Sequence, residues 1–405
     1  MMDIAWLLVL FSVLQVLQIN ASTYSEISSL YHTLTTGYNK YLRPQADYSK
    51  AAHLYISMNI LNLKEINAVD GTVTISVYFT LQWDDFNLKW TPSSFNNTEY
   101  VVIPTDQIWK PPLINSNTAK EFSMFGNSDS YVIIHNSGIV TWQPGHQLEF
   151  SCNIDTTYFP FDTQKCTLDV IAWGYNMGDI YFTPTRSNID TIHYVENSEW
   201  EMTFTSVLSE DGPPPNTKFT MYLKRRPLYL IINLIFPVIL LALFNITVFL
   251  LPQDSGERVG FAITLLLSIV VFLTIAQGLL PATAQPRLSA ICIVLILNMV
   301  MSGMITVSVI VSGWIYYKPE DYDVPNWIKK VICFKLYHRF TNTNQVHVIN
   351  VQNEKTIDKP PIDGDESKVT WHMVAKYYDR ISLIFYVIYF VCCHVSYAID
   401  IVKGE

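Results

Sequence analysis

Gly256-Glu257-Arg258-Val259-Gly260-Phe261-Ala262-Ile263-Thr264-Leu265-Leu266-Leu267-Ser268-Ile269-Val270-Val271-Phe272-Leu273-Thr274-Ile275-Ala276-Gln277-Gly278-Leu279-Leu280 is the stretch on which the fold turns. As a helix it is long enough to cross a bilayer, for which roughly 20 apolar residues suffice. It is not apolar all round. Glu257, Gly260, Thr264, Leu267, Val271, Thr274 and Gly278 recur at steps of three and four, the spacing of one helix face. That face carries a carboxylate at one end, small or hydroxylated residues along it, and two apolar rungs, Leu267 and Val271. Two readings fit. Charged rings and hydrophobic constrictions build channel walls, and small residues also pack one buried membrane helix against another. The stretch alone does not decide between them.

Working outward, four apolar spans stand at about 228–251, 260–280, 288–316 and 381–401. Short loops, 252–257 and 281–287, join the first three. The last gap is long and polar and holds Lys318, Lys329, Lys330, Lys335, Arg339 and Lys376, the mark of a cytoplasmic loop. Within it, 325–336 is basic and amphipathic and suits the inner membrane surface. Cys333 in that segment either carries a palmitoyl chain or is a plain buried thiol. Residues 342–365 are polar, contain Pro360-Pro361 and read as disordered. From Ser367 a helix runs on into the fourth span.

Toward the N-terminus, residues 4–17 are apolar and Ile19-Asn20-Ala21 ends on a small residue. This reads as a secretory signal over 1–22, with Asp3 where a basic residue is usual and a short core helix as the alternative. Ile27, Leu30, Tyr31, Leu34 and Tyr38 predict one amphipathic helix over 24–41. From about 51 to 226 the chain alternates or turns β-branched, as in Val73-Thr74-Ile75-Ser76-Val77-Tyr78-Phe79. Asp70-Gly71, Asn136-Ser137-Gly138 and Pro144-Gly145 break it into short strands. The pattern predicts an extracellular, immunoglobulin-like β-sandwich of about ten strands. Asn96-Asn97-Thr98 is a glycosylation sequon in a polar turn, with Asn96 the acceptor.

Composition removes several function classes. Half the residues are hydrophobic and 15% charged, and the net charge of −9 argues against nucleic acid. There is no Gly-rich phosphate loop, no Gly-x-Ser-x-Gly elbow and no Cys/His spacing of a zinc site, so no cofactor, metal or enzymatic activity is expected. A transporter would show paired repeats and charge within its spans, whereas the apolar runs of spans two to four stay uncharged until Asp400.

The most specific signal is Cys152-Asn153-Ile154-Asp155-Thr156-Thr157-Tyr158-Phe159-Pro160-Phe161-Asp162-Thr163-Gln164-Lys165-Cys166. Two cysteines at this spacing in a secreted β domain predict a disulfide. Closing such a loop contributes roughly 3 kcal/mol in the chain-entropy model. Phe159-Pro160-Phe161 makes an apolar tip that needs an apolar partner.

Across nearly its whole length the chain resembles a Cys-loop receptor subunit of the pentameric ligand-gated ion channels, most of all nicotinic acetylcholine receptor subunits. Trp83-Asp84-Asp85, Trp109-Lys110-Pro111, Phe159-Pro160-Phe161-Asp162, Trp173-Gly174-Tyr175 and Arg225-Arg226-Pro227-Leu228-Tyr229 carry the resemblance. Gly256-Glu257-Arg258 opens the second span as in cation channels of the family, without the Pro-Ala pair of anion-selective members.

The resemblance implies an extracellular ligand-binding domain at 23–226, transmembrane helices one to three at 227–316, a partly helical cytoplasmic insert at 317–379, and a fourth helix with the C-terminus at 380–405. It implies a plasma-membrane subunit with both termini outside, assembled with identical or related copies into a pentamer, a homopentamer in the simplest case. The second helices then line a path for Na+ and K+, with Glu257 as a charged ring and Leu267 as the gate, Val271 one turn above. Gly260 stands where the family has Ser or Thr, and Gly278 where it often has an acid.

A ligand site between subunits would draw on Trp173 and Tyr175, on Tyr78 and Trp142 of the neighbouring face, and on Ser116, which replaces a family tyrosine. The segment 206–218, acidic and Pro-rich, lacks the paired cysteines and tyrosines of acetylcholine-binding subunits. This argues for a different small ligand, an amine or an amphiphile. An accessory subunit without its own agonist site, working only in heteromers, is the alternative. Phe159, Pro160, Phe161, Asp162, Asp70, Arg225 and Pro281 are the expected coupling residues, with Glu65, Asp70 or Asp162 as the partner of Arg225.

Overall fold

The structure, a computed structural model, describes residues 23–126, 130–210, 212–280, 287–319, 321–330 and 369–404. The expected signal segment 1–22, the linker with Pro281, and Cys333 lie outside these residues. The chain forms two compact units. The first comprises residues up to Asp155 together with Asp162–Arg226; the second comprises Thr156–Phe161 and residues from Pro227 onward.

The first unit opens with α1 (Tyr24–Thr35). Glu26 in its first turn accepts from the Thr23 backbone N–H at 2.7 Å and from its hydroxyl at 2.8 Å. Leu30 and Leu34 bury one face. The helix ends well before Tyr41, because the β-branched pair Thr35-Thr36 is followed by Gly37 at φ +79°, a left-handed conformation that stops it. Tyr38 therefore leaves the helical face. Its hydroxyl donates to Asp85 Oδ2 at 2.6 Å and accepts from the Trp109 N–H at 3.2 Å. Burial raises the pKa of Asp85.

Among the described residues eleven strands follow, in two sheets. The hairpin of β1 (Ala52–Asn67) and β2 (Thr72–Asp84) is the spine of the larger sheet. Gly71 at φ +67° makes its turn. Around it stand β3 (Tyr100–Pro104), β5 (Tyr131–His135), β6 (Ile139–Trp142), β7 (Gly145–Ser151) and β9 (Ile180–Pro184). The order is β3-β5-β6-β2-β1-β9, with β7 also on β2. The smaller sheet runs β10 (Trp200–Glu210), β11 (Asn216–Arg225), β8 (Thr163–Ala172) and β4 (Leu113–Asn115). Alternation along β2 turns Val73, Ile75, Val77, Phe79, Leu81 and Trp83 inward. Phe79 meets Phe219 of β11 edge-on at 5.7 Å and stacks on Phe125 at 4.9 Å, so aromatic packing joins the two sheets. The Cys152–Cys166 disulfide is present.

Among its described residues the second unit holds four helices long and apolar enough to cross a membrane: α2 (Leu228–Leu250), α3 (Arg258–Gly278), α4 (Ala290–Tyr316) and α5 (Trp371–Gly404). Pro237 lacks the N–H that would bond one turn back, and α2 widens to a π turn over Ile231–Ile235 just before it. Two apolar clusters hold the bundle. One joins Ala242, Ile246, Ala262, Met301, Ile305 and Tyr386; the other joins Leu234, Val238, Ala276, Leu280, Ile291 and Leu295 with Phe159.

His146 of β7 gives the sandwich a pH dependence. Its Nε2 accepts from the Gly126 N–H at 2.6 Å, and Phe125 lies against the ring. Burial pushes its pKa below the usual value. In the range below about 6.5 the unfolded chain takes up a proton that the folded one refuses, so stability is lost as pH falls through that range. Thermal unfolding between pH 7 and pH 5 should show this loss, and His146→Gln should remove much of it.

Candidate functional site

The seven residues of the mixed stripe, Glu257, Gly260, Thr264, Leu267, Val271, Thr274 and Gly278, are all exposed in the single chain. The side of α3 buried in the bundle is Arg258, Ala262, Leu265, Ile269 and Ala276. At 3.6 residues per turn the two sets lie on opposite sides of the helix. Val259 and Ile263 flank the stripe on one side, Phe261 and Ile275 on the other, and they too are exposed. The hydroxyls are turned onto the helix itself. Thr264 donates to the Gly260 carbonyl at 2.8 Å, Ser268 to Thr264 at 2.9 Å, and Thr274 to Val270 at 3.0 Å.

Beneath the stripe sits a polar cluster that the apolar pattern did not reveal. Arg258, only 3% exposed, donates from Nη1 to Asp379 Oδ2 at 3.1 Å and from Nε to the Val248 carbonyl at 3.2 Å. Asp379 also accepts from Ser312 Oγ at 2.5 Å and Gln253 Nε2 at 3.1 Å. All four helices and the loop between α2 and α3 meet here. Asp379 stands just outside the apolar run that marked the fourth span, but α5 begins at Trp371 and carries it into the bundle. An acid at the edge of an apolar run, with Arg258 at the edge of another, was the available signal.

In the sandwich, Trp173 follows the end of β8 and is 53% exposed. Its N–H bonds the Pro112 carbonyl at 2.8 Å, and its ring stacks with the exposed Phe122 at 6.1 Å. Ser116 follows β4, the strand paired with the end of β8, and donates to Asp169 Oδ2 at 2.8 Å. Tyr175 is half-buried, with its oxygen 3.5 Å from Trp109 Nε1. The structure thus brings Phe122, unanticipated, onto Trp173 at the end of β8, whereas Ser116 stands opposite Asp169, four residues back along that strand.

Tyr78 lies on the outward side of the larger sheet. Trp142, expected beside it, is instead fully buried. Alternation along β6 points Val140 and Trp142 into the core and leaves Thr141 and Gln143 outward. These two bond the residues next to Tyr78: Gln82 Nε2 donates to Thr141 at 3.2 Å, and Gln143 Nε2 to Thr80 at 3.3 Å. The segment 206–218 is mostly the β10–β11 hairpin, closed by Lys218 on Glu210.

Of the coupling candidates, Arg225 pairs with Asp162, bidentate at 2.7 and 3.1 Å, and stacks over Trp200 at 4.1 Å. Asp162 is further fixed by Gln164 Nε2. Asp70 bonds Asn67 and does not pair with Arg225. Phe159 is buried in the apolar cluster with Leu280 and Ile291, and the Ala290 N–H donates to the Thr157 carbonyl at 3.0 Å. Asn96 takes a left-handed φ of 50° and donates to Glu26 at 3.3 Å, with Thr98 buried beside it.

Comparison with known proteins agrees with this architecture. Residues 27–227 match the neurotransmitter-gated ion-channel ligand binding domain, and 234–359 the neurotransmitter-gated ion-channel transmembrane region. The human neuronal acetylcholine receptor subunit alpha-3 is 30% identical over 83% of this chain and 67% of its own length. The rat neuronal acetylcholine receptor subunit alpha-6 is 30% identical over 74% of this chain, and the Caenorhabditis elegans acetylcholine receptor subunit alpha-type acr-16 is 29% identical over 75%. The matched region spans 62% of each of the last two relatives. The chain belongs to the nicotinic receptor-like family of neurotransmitter-gated ion channels. Its members are not enzymes, and it is accordingly a multi-pass plasma-membrane protein with an extracellular ligand-binding domain.

Two neighbouring Arg pairs of the sandwich, those of Arg225 and Arg226, should separate sharply in strength. Asp162→Asn removes the buried carboxylate that Arg225 holds bidentately and should destabilise the protein by about 3–5 kcal/mol. Arg226→Gln removes an exposed bridge to Glu196 and should cost under about 1 kcal/mol. Thermal melts of the detergent-solubilised variants measure the contrast.

Proposed function

We propose that the chain is one subunit of a pentameric, cation-selective channel opened by an extracellular ligand, with α3 lining the pore. The observation that carries this reading is the position of the stripe. A membrane helix gains nothing by turning Glu257 and two threonines to lipid, yet the bundle buries the opposite side. Neighbouring copies covering the exposed flanks, Val259 and Ile263 on one side and Phe261 and Ile275 on the other, would leave the stripe facing a central hole. Five Glu257 carboxylates at one end favour cations, Na+ and K+ among them, and the Leu267 and Val271 rungs form the constriction that excludes water when closed.

The same reading assigns 23–226 to the extracellular domain, 227–316 to the first three membrane helices, 317–379 to the cytoplasmic insert and 380–405 to the fourth helix. The ligand site then lies between copies. Trp173, just past the end of β8, and Ser116, opposite Asp169 on the same strand, would face Tyr78 and Gln143 on the larger sheet of a neighbour. An exposed indole face attracts a cation by about 0.5–2 kcal/mol, which supports an amine as ligand. The hairpin of 206–218, without paired cysteines or tyrosines, argues against acetylcholine. Coupling would pass through Phe159–Asp162, Arg225, Asp70 and the linker that begins at Pro281, and Asn96 is the proposed glycan acceptor.

Oocytes expressing Leu267→Thr should carry a standing current, because a hydroxyl ring wets the constriction. In that background Glu257→Ala should lower the Na+ to Cl− permeability ratio roughly tenfold, the effect of ~1.4 kcal/mol at the mouth. Reversal potentials under NaCl dilution report it, and an unchanged ratio counts against α3 as the pore wall.

A further inference from the structure

Glu257 and Arg258 are neighbours of opposite charge. A ring of five such pairs attracts cations only if the second charge is turned away or offset. Both happen in this chain. Glu257 is exposed, whereas Arg258 is buried on the bundle side of α3. Its guanidinium meets the Asp379 carboxylate of α5, the helix most distant in sequence, at 3.1 Å. Ser312 of α4 and Gln253 of the loop before α3 aim that carboxylate without adding charge.

We infer that Asp379 is a positioning residue for ion selectivity: it holds Arg258 inside the bundle and cancels its charge, so that each subunit presents Glu257 to the ion path with no cation beside it. The inference rests on the reading of α3 as pore wall. Its physical basis is the behaviour of an unpaired guanidinium. Buried without a carboxylate, Arg258 is costly to keep in place, and its long stem lets the charged head move toward water. In a pore, that water lies on the Glu257 side of the helix. Loss of Asp379 thus changes the mouth in two ways: Arg258 swings toward Glu257, and the inner end of each subunit loses one negative charge.

The test uses the full-length chain in oocytes, in the Leu267→Thr background, with reversal potentials under NaCl dilution and surface biotinylation of every variant. Asp379→Asn should lower the Na+ to Cl− permeability ratio roughly tenfold, toward that of Glu257→Ala, and Asp379→Glu should keep it. The double variant Arg258→Met with Asp379→Leu should restore the ratio, since no unpaired cation remains. Folding defects reduce the number of channels but not their selectivity, so the reversal potential isolates the positioning role. If Asp379→Asn is retained inside the cell, Ser312→Ala with Gln253→Ala loosens the carboxylate without removing it, and the ratio should fall part of the way. A ratio unmoved by Asp379→Asn, or by the Ser312 and Gln253 pair where Asp379→Asn is retained, while Glu257→Ala shifts it, overturns the inference and leaves the pore reading intact. If Glu257→Ala also leaves it unmoved, or the Leu267→Thr background stays silent, the pore reading fails and the inference goes with it.

Discussion

A guanidinium and a carboxylate in surroundings that solvate neither must find each other, and the contact between Arg258 and Asp379 fixes the arrangement of the membrane unit. It draws in the Val248 carbonyl from α2, Ser312 from α4 and Gln253 from the loop. Apolar contacts alone specify the rotation of a greasy helix poorly, since lipid accepts Leu, Ile and Val as readily as another helix does. One charge pair is far less tolerant. Turning α3 by a single residue, about 100°, would leave the arginine facing hydrocarbon. The rotation that satisfies Arg258 is also the one that leaves Glu257, Thr264 and Leu267 outside the bundle.

A second charge pair does related work in the sandwich. Asp162, held by Arg225 and Gln164, directly follows the segment Thr156–Phe161, which packs with the membrane helices. The chain therefore passes within three residues from the Phe159 ring, buried among apolar side chains, to the Asp162 carboxylate, pinned inside a β-sheet unit. At the base of that segment, the Thr157 carbonyl accepts from Ala290, one of the first N–H groups of α4 that has no partner within its own helix.

Much of this was legible in the residues. The four spans, the sandwich and the disulfide follow from periodicity, from length and from cysteine spacing in a secreted domain, and these are strong local signals. What escaped depends on tertiary partners or on finer register. Tyr38 and Tyr41 keep the helical period past the true end of the first helix, where Gly37 in a left-handed conformation stops it. The family resemblance places Trp142 on a ligand face, and the structure buries it. Period-two counting from Val140 would have turned it inward. Which acid Arg225 chooses could not be told from sequence, since Glu65, Asp70 and Asp162 were equally eligible until the strands were paired. Asp379 precedes the unbroken apolar run of the fourth span, and only the helix start at Trp371 carries it into the bundle.

The hydroxyls along α3 carry one more implication. Thr264 and Thr274, both on the exposed stripe, each direct their proton back to a carbonyl one turn earlier, so what they turn outward is oxygen lone pairs. A hydroxyl can in principle solvate either sign of ion. With its hydrogen engaged it can only accept, which suits a partly stripped sodium or potassium ion and offers a chloride nothing to bind. In a pore built from such helices, discrimination by charge would extend along the wall, beyond the carboxylates at its entrance.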